Sequence, residues 1–177
     1  MNVRFWLKAI PHVQGSGKSQ IILDATFALI AIGAITTVSI LGHIATQPNL
    51  SPWFAGLVKP SFYPPNWVFG PVWTTLYALM VFALWRILRL RSSNARTVTL
   101  FLFFVQPALN AAWSWMFFWA HSPLLGLINI VPQVLAIVST LIFFARLDRL
   151  AAWCLAPLLT WVTFATVLNF SFWWLNG

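Results

Sequence analysis

The chain has 177 residues, 60% of them hydrophobic and only 7% charged, with a mean hydropathy of +0.84. That composition leaves too little polar surface to coat a water-soluble globule, and a length near 180 residues argues for one domain. The net charge of +8 would suggest nucleic acid in a soluble protein. Membrane proteins, however, gather Lys and Arg in their cytoplasmic loops, so topology accounts for the charge and no nucleic acid partner is expected. The single Cys154 excludes an internal disulfide and any cysteine-cluster metal site.

Residues 1–20 mix Arg4, Lys8 and Lys18 with Phe5, Trp6, Leu7 and Ile10 and read as an N-terminal interfacial arm. The apolar run after it is too long for a signal peptide and ends at no clear small-residue cleavage site, so it is expected to be a retained first span. Gly15-Ser16-Gly17-Lys18-Ser19 imitates the end of a phosphate-binding loop. It fails because His12 stands where the motif needs a glycine, and because no strand precedes it.

Five apolar segments follow, at about 21–46, 67–90, 98–120, 124–145 and 151–175, within one membrane domain covering 21–177. A hydrocarbon core of roughly 30 Å takes about 20 residues of helix. Long unbroken apolar runs lack the alternation of a membrane barrel, so the fold class is an all-α integral membrane protein, a five-transmembrane-helix bundle. Pro107, Pro132 and Pro157 fall inside the third, fourth and fifth spans, where each frees a carbonyl and can open space between helices. Five spans put Arg4, Lys8, Lys18, Arg86, Arg89, Arg91, Arg96, Arg146 and Arg149 on one side and only Lys59 on the other. The positive-inside rule then places the N-terminus in the cytoplasm and the C-terminus outside.

The loop 47–66 joins the first two spans. It holds Pro48, Pro52, Pro60, Pro64 and Pro65 among Trp53, Phe54, Phe62 and Tyr63. Such a stiff aromatic loop reads either as a lid on the outer mouth of the bundle or as an anchor in the headgroup layer.

Polar groups inside spans are costly, so their spacing is informative. Gln106, Asn110, Trp113 and Phe117 share one face of the third span, which is expected to point inward. Ala108, Ala111 and Ala112, with Trp115 and Trp119, form a small-residue strip on the other face, suited either to a homodimer contact or to packing within the chain. Trp161, Ala165, Leu168 and Phe172 share a face of the fifth span, with Asn169 at its edge, and Trp73, Tyr77 and Met80 share one of the second. Together these faces suit a flat hydrophobic ligand, or simply the packing of a tryptophan-rich bundle. Conventional catalysis has nothing to work with. Asp24 and Asp148 are the only acids and lie on different segments, Asp148 reading as a solvated partner of its neighbours Arg146 and Arg149. His12, His43 and His121 are scattered without metal-ligand spacing, so no metal is expected.

Three blocks resemble the tryptophan-rich sensory protein / translocator protein family, also called peripheral-type benzodiazepine receptors. They are Trp53-Phe54-Ala55-Gly56-Leu57-Val58-Lys59-Pro60-Ser61-Phe62-Tyr63-Pro64-Pro65 with Gly70-Pro71-Val72-Trp73-Thr74-Thr75-Leu76-Tyr77; Gln106-Pro107-Ala108-Leu109-Asn110-Ala111-Ala112-Trp113-Ser114 with Phe117-Phe118; and Trp161-Val162-Thr163-Phe164-Ala165-Thr166-Val167-Leu168-Asn169. The resemblance implies a homodimeric five-helix receptor or sensor for tetrapyrroles such as protoporphyrin IX and haem. These would be ligands rather than required cofactors, held in a pocket under the first loop. It implies that Trp53, Phe54, Trp73, Gln106, Asn110, Trp113, Trp161, Ala165 and Leu168 line that pocket. It also implies two alternatives: light- and oxygen-dependent porphyrin breakdown, with Trp73 and Trp161 as redox candidates, and porphyrin or lipid transport, for which the sequence offers neither repeats nor intramembrane charges. Departures from the family pattern bear on the ligand. Phe170 and Trp174 replace the Tyr and basic residue of the animal sterol motif, which argues against cholesterol and for a bacterial member. Phe54, Leu158 and Asn129 replace more polar or acidic residues and shift ligand preference.

Overall fold

In a computed structural model, which describes residues 17–177, five helices account for most of the chain: α1 Gly17–Thr46, α2 Phe69–Leu88, α3 Asn94–Ser114, α4 Pro123–Leu147 and α5 Arg149–Asn176. No β-strand occurs among the described residues. Helix α3 runs on as a π-helical turn, Trp115–Trp119. All five helices are long and apolar enough to cross a membrane, and their bounds follow the sequence-predicted spans. The expected arm lies almost wholly outside the described residues, with Arg4 and Lys8.

Helix starts are written locally. Ser93, Ser122 and Asp148 sit in extended backbone, and their side chains accept from the amides of Arg96, Leu125 and Ala151. Each meets one of the donors that a helix N-terminus leaves unpaired. Pro123 occupies the first turn of α4, where its missing N–H costs nothing. Pro107, Pro132 and Pro157 all lie inside their helices.

Packing closes the helices into a ring in the order α1, α2, α5, α4, α3, with α4 most extensively engaged by α5 and α3, while α2 barely meets α3. The ring is filled by a mainly aliphatic core, around Met80, Leu84, Ile137, Leu155 and Leu158, that also takes in the stacked pair Phe103 and Phe144. Toward the loop 47–66 the filling becomes aromatic, with Phe54, Phe117, Phe118 and Phe172 around Leu168. The small-residue strip of α3 divides. Ala108 and Trp119 face outward, whereas Ala111 is only 7% exposed and packs within the chain. Three residues of helix turn it about 60° away from Ala108, toward the bundle.

The basic face is tied together by both of the chain's acids. Arg89 Nε donates to Asp24 at 2.8 Å, and Arg89 also stacks on Trp85, whose indole N–H donates to the Asp24 carbonyl at 3.1 Å. Arg86 Nε donates to Asp148 at 2.7 Å. The expectation of a solvated Asp148 paired with its sequence neighbours is corrected here. Its side chain is 8% exposed and its partner comes from α2, because the close packing of α2 on α5 brings Arg86 over the start of α5.

Asp148 therefore does two jobs, and they separate by mutation. Asp148→Ala should cost about 2–3 kcal/mol by removing both the cap and the ion pair, and Asp148→Ser, which keeps a capping oxygen, about half of that. Thermal unfolding in detergent reads the difference; a Tm unmoved by Asp148→Ala would mean the pair is solvated after all.

Candidate functional site

A cavity of about 590 Å³ opens inside the ring at the end covered by the loop 47–66. Its size falls within the range of pockets that enclose small organic ligands. All five helices and the loop contribute to its wall.

The loop is a fastened roof. Short helical turns at Gln47–Asn49 and Leu50–Phe54 lead from α1 into it, and Asn66–Val68 leads out into α2. Phe54 is buried, with ring centroids 5.3 Å from Phe118 and 5.4 Å from Phe172. Tyr63 stacks on Phe69 and donates to Asn66 Oδ1 at 2.8 Å. Burial pushes its phenol up from the ordinary value, so it remains a neutral donor across the physiological range. At the C-terminal end of α5, Asn176 Oδ1 accepts from the Val58 amide at 2.8 Å and its amide donates to the Val58 carbonyl at 3.1 Å. At the α3–α4 corner, His121 adopts a positive φ of 51°, stacks on Trp53 at 4.7 Å and hydrogen-bonds Asn49 at 2.8 Å. These contacts fasten the loop to the end of the bundle.

Beneath the lid, Trp73 and Tyr77 of α2 lie 5.3 Å apart, and Trp161 of α5 meets Phe69 edge-on at 5.7 Å. Tyr77 donates a long hydrogen bond of 3.5 Å to Asn110 Oδ1. This pair forms a polar ledge in the wall. Seven of the nine sequence-predicted site residues line the cavity: Phe54, Trp73, Asn110, Trp113, Trp161, Ala165 and Leu168. Two stand apart. Trp53 is spent on roof packing against Phe117 and His121, and Gln106 is 1% exposed in the packed interior, its Nε2 without a hydrogen-bond partner. Gln106 shares a helix face with Asn110, but it is absent from the cavity wall.

Other lining residues escaped the sequence reading. Ser39, Gly42, His43 and Thr46 bring one face of α1 to the wall, and Gln133 comes from α4. Small and polar residues at i, i+3, i+4 and i+7 in an otherwise apolar first span carried that signal. Lys59 and Tyr63 enter from the lid. No carboxylate lines the cavity, and no cluster of His, Cys, Asp or Glu able to hold a metal occurs among the described residues.

One wall is locked by an amide. The Trp113 indole donates to Asn169 Oδ1 at 2.9 Å, and the Asn169 amide donates to the Pro123 carbonyl at 2.7 Å, knotting α3, α5 and α4 together. Gly126 makes the knot possible, since a Cβ there would sit 2.8 Å from Asn169 Oδ1, 3.0 Å from Phe117 and 3.1 Å from Trp113 Nε1.

Fold and site together define a multi-pass integral membrane protein whose helices surround an aromatic, lidded cavity. The chain matches the TspO/MBR family over residues 29–175 and belongs to it. It is 42% identical over 152 residues to the tryptophan-rich protein TspO of Chlorobaculum tepidum, covering 85% of this chain and 96% of that one. It is 35% identical over 150 residues to the protein of the same name from Archaeoglobus fulgidus, covering 83% and 95%. With the human translocator protein it shares 40% identity over 124 residues, covering 68% of this chain and 73% of that one.

Gly126→Ala tests the knot by sign. Helix propensity alone favours alanine by about 1 kcal/mol, whereas overpacking three close neighbours costs about 1–3 kcal/mol. We expect net destabilisation, read as a Tm several degrees lower in detergent; a raised Tm would mean that the three helices part easily here.

Proposed function

We propose that this protein is a membrane receptor or sensor that binds tetrapyrroles, protoporphyrin IX or haem, and similar flat hydrophobic molecules in the lidded cavity. The observation that carries this reading is the wall itself: indole and phenyl rings from the lid, α2, α3 and α5 around one cavity, with the Tyr77–Asn110 ledge to orient a polar edge. Apolar aromatic walls with few polar groups suit a planar macrocycle. Relatives named tryptophan-rich sensory protein, from Cereibacter sphaeroides, and translocator protein, from Homo sapiens, support a sensing or ligand-handling role. The only two side-chain carboxylates are engaged by arginines at the basic face, so neither acts at the cavity.

By the positive-inside rule, the face of Arg86, Arg89, Arg91, Arg96, Arg146 and Arg149 is cytoplasmic and the lid lies outside. Ligand then enters from the outer side or from the outer leaflet.

Titration with protoporphyrin IX in detergent, followed by tryptophan fluorescence, is the test. Quenching should saturate, and Trp73→Phe and Trp161→Phe should each weaken binding about three- to tenfold, the worth of a lost indole stacking contact. Quenching that never saturates, or that ignores both substitutions, would count against the site.

A further inference from the structure

Two acids stand against ten basic residues in this chain, and Lys59 is the one Lys or Arg in the cavity wall. Asp24 is paired with Arg89 and Asp148 with Arg86, both at the basic face. Lys59 lies at the other end of the bundle, in the lid, and forms part of the cavity wall. No carboxylate of the described residues lies within ion-pair reach of it, and none lines the cavity.

The ammonium is nonetheless held in place. Nζ lies 5.4 Å from the centroid of the buried Phe54 ring and 5.9 Å from that of Tyr63, and donates a long bond of 3.4 Å to the Ala55 carbonyl. Two aromatic faces and a carbonyl stabilise a cation without neutralising it. The charge is thus pre-positioned at the mouth of an apolar cavity, with donor capacity left over. His43, the other side chain in the wall that can carry positive charge, adds no negative counterweight. Phe69, beside the lid, and Tyr77 on the polar ledge are eight residues apart on α2, a rise of roughly 12 Å. The cavity therefore offers a cation at its mouth and a neutral ledge deeper along the same helix.

We infer that Lys59 is the anion anchor of this cavity and selects ligands that carry a carboxylate on one edge of an otherwise apolar body. The ligand slides its apolar part between the rings, and its acidic edge stays at the mouth against Nζ. This inference rests on the cavity being the ligand site, as proposed above, and it adds the charge class of the ligand and the residue that reads it. An anionic lipid headgroup is a second source of the same chemistry, so the test excludes phospholipid from one arm.

Protoporphyrin IX, which bears two carboxylates, and its uncharged dimethyl ester are titrated into the full chain and into Lys59→Gln and Lys59→Arg, all in phospholipid-free detergent. The diacid should bind the natural chain more tightly than the diester. Lys59→Gln should weaken the diacid about three- to tenfold and leave the diester unchanged, Lys59→Arg should restore the diacid, and added salt should shrink the difference. Repeating the titration with anionic phospholipid present should weaken diacid binding to the natural chain only, by competition at Nζ. Equal binding of diacid and diester, unmoved by Lys59→Gln, would overturn the anchor while leaving the cavity reading intact. Equal weakening of both porphyrins by Lys59→Gln would also overturn it, since the lysine would then act only through its packing on Phe54 and Tyr63. Saturable binding of neither porphyrin would overturn the anchor and the cavity reading together.

Discussion

Hydrocarbon offers a polar group no partner, so the hydroxyls, amides and charges of this bundle have to be met from within the chain, and most of the structure follows from how that is done. Thr26, Thr37, Thr46, Thr74, Thr75, Thr99, Thr140, Thr160, Thr163 and Thr166 each return a hydroxyl proton to the carbonyl four residues back, which hides the group along its own helix. Asp24 and Asp148 are neutralised by arginines from α2. Asn169 spends both its oxygen and its amide on neighbouring helices. Gln106 Nε2 and Asn129 Oδ1 stay unpartnered in the packed interior, while at the cavity Asn110 holds a single 3.5 Å bond and Lys59 a 3.4 Å one.

That distribution separates structure from function within one aromatic-rich sequence. Phe103 and Phe144 stack in the core and are fully buried, Trp53 and Phe117 hold the lid down, and Trp73 and Trp161 face the cavity. The composition is similar throughout, but the surroundings differ. An indole that packs against other rings on all sides is filling, and one with open space on one side is a surface for something else.

The helices were readable in the sequence because hydrophobic length is a local property, and so was the stiffness of a five-proline loop. The inward faces of α2, α3 and α5 were readable for the same reason, since residues three and four apart share a side whatever the rest of the chain does. Contacts between distant segments were not. Asp148 has arginines two positions before it and one after, yet its partner lies 62 residues away. Nothing local says that Asn176 will clasp Val58, 118 residues away, or that His121 will stack on Trp53. Gln106 marks the limit of periodicity as a guide. Helical spacing gives the side a residue faces, but the depth at which the aliphatic core closes decides whether that side meets a cavity or a packed interior.

The central claim is that the lidded aromatic space is where ligand sits. A structure of the protein with protoporphyrin IX bound tests this most directly. The account predicts macrocycle density between Trp73 and Trp161, beneath Phe54 and Tyr63, with an acidic edge turned toward Lys59. Density on the outward-facing Trp115 and Trp119, with the cavity empty, would contradict it.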